Sequence, residues 1–270
     1  MIRILFLCLI IPVSCHYQRP LSESGNQTLI NDTLPIMAGD ISDSAELVFD
    51  FYYRFTSDTG FQLQRIKFPV EIQIDNENIT VQKTDWIHDN LFSNLQYTTQ
   101  IADFNKSGFD YNADYGDKSI FSWIYPSLNK RKDYYFIREK NRWYLSRIII
   151  SKMNNEDPEN FISFLQRFMN DPEFQIKRTK FPFKVTTWTG SEEESRDTTY
   201  FQELSEWSFF SLYNGLDSLT NFVNDWDPGI KENDKLNLFV GGMENGISVT
   251  YNFEKIDNSW ILTGLQDKSD

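Results

Sequence analysis

The sequence predicts an α+β fold built twice in tandem. Three observations carry that prediction. The block Phe51 to Pro69, FYYRFTSDTGFQLQRIKFP, returns at Phe164 to Pro182 as FLQRFMNDPEFQIKRTKFP, with ten identities in nineteen positions at a constant offset of 113. A second echo, Tyr134 to Leu145 (YYFIREKNRWYL) against Tyr251 to Leu262 (YNFEKIDNSWIL), stands at an offset of 117. Within each copy, helical spacing of apolar residues comes first and period-two alternation follows.

The opening helix of copy one places Leu47, Val48, Phe51, Tyr52 and Phe55 on one face, with Asp43 and Glu46 spaced as a capping pair. In copy two Asp157-Pro158 reads as a cap followed by a proline suited to the first helical position, and Phe161, Phe164, Leu165 and Phe168 form the apolar stripe. Asp171-Pro172-Glu173 then starts a short helical turn carrying Phe174 and Gln175. Past Lys67-Phe68-Pro69 and Lys180-Phe181-Pro182 the chain alternates as half-buried strands, Val70 to Ile74 and Phe183 to Thr187. Trp86 and Trp207 occupy equivalent turns, and Tyr97 to Phe104 reads as a strand. Each copy closes on extended runs: 119–125, 133–139 and 143–150 in copy one, 236–240, 247–254 and 260–265 in copy two. The final pairs are hairpins turning at Lys140-Asn141 and Asp257-Asn258.

Residues 1–14 read as a signal peptide: Arg3 gives a positive start, Ile4 to Ile11 an apolar run too short for a permanent span, and Val13-Ser14-Cys15 a small residue before a cysteine. This resembles a bacterial lipoprotein signal, which implies cleavage before Cys15 and lipidation there; Pro12 departs from the usual leucine. The other cysteine, Cys8, leaves with the signal, so the mature chain is expected to hold neither a free thiol nor a disulfide. Residues 15–44 are polar and aperiodic and read as a tether. Residues 45–153 form the first repeat domain and 156–270 the second, joined by an exposed polar link. A net charge of −13 excludes nucleic acid as a partner, since binding it requires a basic stripe that displaces counterions.

The repeated F-Q-x-x-R-x-K-F-P block, the closing Trp hairpins and the lipoprotein signal together resemble a family of uncharacterised Bacteroidetes lipoproteins with nuclear-transport-factor-2-like (NTF2-like) domains. The resemblance implies two cone-like domains, helices packed into a curved, mostly antiparallel sheet, at a cell-envelope address. It implies no activity.

The duplicated polar set is Arg54, Asp58, Gln62 and Arg65 in copy one and Arg167, Asp171, Gln175 and Arg178 in copy two. Its spacing fits structural work: an arginine–aspartate pair four apart, an aspartate capping the next helical turn, and a glutamine or arginine serving backbone groups at the helix–strand junction. His88 lies between Asp85 and Asp89, and cone-fold enzymes often use a histidine or aspartate as general base. Against this, copy two places Phe209 where copy one has His88. Asp103, Asn105, Ser107 and Asp114 match calcium-loop positions one, three, five and twelve, with Gly108 at six, but Asp110 stands where such loops want an aliphatic residue. A polar loop between strands explains the same residues. No nucleotide-binding glycine loop, zinc spacing or nucleophile elbow appears, and no cofactor is implied.

The sequence thus reads as a non-enzymatic envelope lipoprotein that binds a protein, a glycan or a small molecule. One alternative is a cone-fold isomerase, dehydratase or hydrolase using His88 with Asp85 or Asp89; another is a calcium-stabilised scaffold. The residues after Cys15 are His16, Tyr17, Gln18 and Arg19 rather than an acidic run, which favours the periplasmic side.

Overall fold

The computed structural model describes residues 44–103, 116–153, 157–189, 196–213, 217–223, 230 and 233–270. Among these residues each copy contributes two α-helices and six strands in one order. Copy one runs α1 (Val48–Ser57), α2 (Thr59–Gln64), β1 (Ile66–Ile74), β2 (Glu77–Val81), β3 (Tyr97–Asp103), β4 (Lys118–Tyr125), β5 (Lys130–Glu139) and β6 (Arg142–Lys152). Copy two runs α3 (Phe161–Phe168), α4 (Pro172–Lys177), β7 (Thr179–Thr189), β8 (Arg196–Gln202), β9 (Leu219–Val223), β10 (Lys235–Gly242), β11 (Ser248–Ile256) and β12 (Ser259–Asp267). The α+β class therefore stands. Three strands, β2, β8 and β9, do not register in the sequence pattern.

The strands form two six-stranded mixed sheets, ordered β2-β1-β6-β5-β4-β9 and β3-β10-β11-β12-β7-β8. The parallel pairs are β1 with β6 and β7 with β12. Each sheet borrows its strand beside β4 or β10 from the other copy. β3 of copy one lies antiparallel to β10, from Tyr97 opposite Gly242 to Asp103 opposite Leu236. β9 of copy two lies antiparallel to β4, from Leu219 opposite Ile124 to Val223 opposite Ile120. The two exchanged strands cross at Thr99 and Thr220. There the Thr99 amide donates to Thr220 Oγ1 at 2.6 Å and the Thr220 amide to Thr99 Oγ1 at 2.9 Å. Asn221 Oδ1 accepts the Ile101 amide at 2.8 Å, so the buried backbone at the crossing is served by side chains of the other copy.

The cores follow the exchange. One packs α1 over β1, β6, β5 and β4 around Phe51, Tyr52, Phe55, Phe136 and Trp143, and includes Phe222 of copy two. The other is built on Phe161, Phe164, Phe168, Phe253 and Trp260, and includes Ile101 and Ile124 of copy one. Edge-to-face rings dominate, as between Tyr52 and Phe136 at 5.0 Å and 83°. Residues 44–270 form one compact unit. Within this unit each sheet is completed by a strand of the other copy.

Candidate functional site

The helix–strand junction of each copy is locked by a glutamate absent from the repeated block. Arg65 Nη1 and Nη2 donate to Glu46, each at 3.0 Å, and Nη1 also donates to the Trp143 carbonyl at 3.1 Å. Glu46 in turn accepts the Trp143 amide at 2.8 Å, and its own carbonyl accepts the Trp143 indole N–H at 3.0 Å. Copy two repeats the lock with Arg178, Glu159 and Trp260: Arg178 to Glu159 at 2.8 Å, and the Trp260 indole to the Glu159 carbonyl at 2.9 Å. Glu46 is thus not a helix cap. α1 is entered through Leu47 without a side-chain cap, because the Glu46 carboxylate is held in a two-pronged arginine fork. In copy two the cap is Asn160, whose side chain accepts the Ile162 amide, rather than Asp157.

The other members of the duplicated set are also structural. Asp58 and Asp171 cap α2 and α4, accepting the Phe61 and Phe174 amides at 2.9 Å each. The Phe174 amide, chief among its partners, holds the Asp171 carboxyl below its usual range. Arg167 reaches Asp171 at 3.5 Å, whereas in copy one Arg54 lies over the Phe61 ring at 4.2 Å. Among the described residues the expected arginine–aspartate pair therefore forms in copy two, as Arg167–Asp171, and not between Arg54 and Asp58. Gln62 is fully buried and uses its whole amide. Nε2 donates to the carbonyls of Phe55 and Asp89 at 2.8 and 2.9 Å; Oε1 accepts the Trp86 indole and the Asp89 amide, both at 2.9 Å. Gln175 does the same with Phe168 and Phe210, so positions 89 and 210 are structural equivalents.

What Gln62 positions is a polar cluster around Asp89. Asp89 accepts Lys132 Nζ at 3.0 Å, the Tyr134 hydroxyl at 2.5 Å and, through Oδ1, the Leu91 amide at 3.0 Å. Burial opposes the charge of Asp89, but Lys132, Tyr134 and the Leu91 amide outweigh it and hold the carboxyl below its usual range. A depressed folded value means that Asp89 stabilises the fold above the ordinary aspartate pKa, and this contribution is lost as pH falls through the lowered one. Burial, with the Asp89 charge second, pushes the Tyr134 phenol well up and that of Tyr125 to about 12, so both stay protonated at neutral pH. His88 Nε2 donates to the Thr56 carbonyl at 2.9 Å, serving a helix-terminal carbonyl of α1. Its Nδ1 is buried without a hydrogen bond, and Asp85 is exposed on the turn Lys83–Asp85. The expected histidine–aspartate pair is thus not assembled: Asp89 serves Lys132 and Tyr134, and His88 serves α1.

A model of the family described as a domain of unknown function, DUF4348, matches residues 30–267. The chain belongs to the DUF4348 family. It is also similar to the crystal structure of an NTF2-like protein from Bacteroides fragilis NCTC 9343. That match has 26% identity and a TM-score of 0.72 and covers 84% of this chain and 97% of the other. The NTF2-like architecture expected from the Trp hairpins and the repeated block is therefore present. No curated protein matches.

Within this DUF4348 chain the two copies share a frame and differ in what it presents. Phe210 replaces Asp89, and its ring stacks on Tyr251 at 5.1 Å and 22°, where Tyr251 is the counterpart of Tyr134. Val249 stands at the place of Lys132. The polar cluster belongs to copy one alone. Sequence spacing does not reach Lys132 and Tyr134, which lie 43 and 45 residues from Asp89. The signal that could have found them is the change of residue type at aligned positions of the repeat.

Of the calcium candidates, Asp103 ends β3 and accepts Asn233 Nδ2 at 2.5 Å, while Asn105, Ser107 and Asp114 lie outside the described residues. Among the described residues no group of three or more His, Cys, Asp or Glu is placed to hold a metal ion. Cys15 also lies outside them, and no described helix is long and apolar enough to cross a membrane.

Proposed function

We propose that the chain is a lipid-anchored envelope protein, acylated at Cys15 and facing the periplasm, whose double NTF2-like fold binds a ligand without transforming it. The observation that carries the non-catalytic reading is the commitment of Asp89. Its carboxylate already serves an ammonium, a phenol and an amide, so the chain's own groups occupy the lone pairs a general base would need. The nearby histidine is tied to a helix carbonyl instead of relaying a proton to that aspartate. The anchor rests on the apolar run ending at Val13-Ser14-Cys15 and on the tether that follows.

One preparation tests both halves of the proposal. The parent protein, made in its own host, will take up a fatty-acid analogue and sediment with membranes. Cys15→Ala will do neither, and native mass spectrometry of that soluble variant will detect a bound molecule whose mass is unchanged on incubation. Membrane retention and labelling of Cys15→Ala would overturn the anchor. A bound molecule that converts with time in the parent domains, and persists in Asp89→Asn, would overturn the non-catalytic reading.

A further inference from the structure

The helix-covered face of the first sheet continues beyond the helices, and its outer rows carry an arrangement that the fold does not require. The register places Phe121, Tyr134 and Ile148 in one row under α1; these residues are core. Two residues further along each strand the row reads Trp123, Lys132, Ile150 and, on β1, Ile74. The next row reads Tyr125, Lys130, Lys152. Lys132 is spent on Asp89. Lys130 and Lys152 stand directly opposite one another on adjacent strands, and neither makes an ion pair among the described residues. Like charges at directly opposed positions destabilise a sheet, and here they persist in a chain of net charge −13. Copy two shows that the fold does without them: at an offset of 117 the same places hold Ile247 and Ser269. Beside the lysines the surface is apolar. Trp123 and Ile150 are half-buried against the core, Ile74 is 39% exposed, and the Trp123 and Tyr125 rings lie near-parallel at 19°.

We infer that this face binds a fatty carboxylate, its head group between Lys130 and Lys152 and its chain running from there over Ile150 and Ile74, on the side of Lys132 away from Trp123. A carboxylate there relieves the like-charge pair, and the chain covers apolar surface left half-exposed. Charge selects the end of the ligand and the apolar row selects its body. This rests on the binding reading above and names its ligand class.

The test uses the full chain carrying Cys15→Ala, so that no protein-bound lipid competes, and isothermal titration with decanoate below its micelle concentration. Decyltrimethylammonium, decanamide and butyrate are the controls. Decanoate should bind at least roughly tenfold more tightly than any control. Lys130→Gln with Lys152→Gln should lose about that factor while melting at or above the parent temperature, because a repulsive pair has been removed. Equal binding of the ammonium amphiphile, undiminished decanoate affinity in the double variant, or no decanoate binding each overturns the site. Such a failure is distinct from failure of the binding reading, which is decided by the molecule recovered from the host.

Discussion

Fragments 44–153 and 157–270, produced separately, will each lack a cooperative unfolding transition, and mixing them will restore one. The polar sequence of the link between the repeats suggests that each half folds alone, but the exchange of β3 and β9 points the other way. Fragment one would lose Phe222 and Leu219 from beside Phe121 and Ile124, and its own β3 would have no β10 to pair with. Fragment two would lose Ile101 from the core around Phe164 and Phe253. Burial of a large apolar side chain contributes roughly 1.5–3 kcal/mol. Losing two or three of them, together with a whole ladder of backbone bonds, removes much of the about 5–15 kcal/mol that a domain has in total. Near-ultraviolet circular dichroism and urea titration of each fragment and of the mixture measure the effect. Two fragments that each melt sharply as monomers would contradict it.

Arg65→Met will be the most damaging single change in the repeated block. Breaking a buried ion pair by removing one partner costs about 3–5 kcal/mol. Here Arg65 and Glu46 are 10% and 23% exposed, so solvent relieves part of the stranded charge on Glu46 and about 2–4 kcal/mol is expected. In a unit of this size that lowers the melting temperature by roughly 5–15 °C. Arg178→Met should cost less, because the Arg178 contact with the Trp260 carbonyl is 3.4 Å against 3.1 Å for its counterpart. Arg54→Met should stay within about 1 kcal/mol, since Arg54 is exposed and gives up only its stack on Phe61. With the copies interlocked, Arg65→Met and Arg178→Met should shift one common transition in differential scanning calorimetry. An Arg65→Met protein melting at the parent temperature would show that the lock is not structural.

Much of the fold is legible in the sequence because local physics sets it. The stripe Phe51, Tyr52 and Phe55 specifies α1, and Asp171 before Pro172 specifies the cap of α4. The unread strands fail for identifiable reasons. β8 is exposed along nearly all its length and so shows no alternation, and β9 is five residues carrying Thr220 and Asn221 for the crossing. β3 reads correctly as a strand, but alternation says which face is buried and nothing about which neighbour is paired. Spacing also misleads at Glu46: an acid three residues after an aspartate satisfies the pattern of a capping pair, yet the stronger partner is an arginine nineteen residues on. At the candidate site, Gln62 could be found from its repetition. Asp89 could be named, but its partners Lys132 and Tyr134 come from β5, which only the folded sheet brings near.

The interlocking of the copies is tested most directly by nuclear Overhauser contacts of the Ile101 methyl group in protein labelled at isoleucine and leucine methyls. With β3 seated beside β10, Ile101 lies opposite Leu238, and a cross-peak between their methyls is predicted. If instead each copy completed its own sheet, Ile101 would take the place that Phe222 holds, packed on Tyr52 and Phe121. Cross-peaks from Ile101 to those two rings, with none to Leu238, would contradict the exchange.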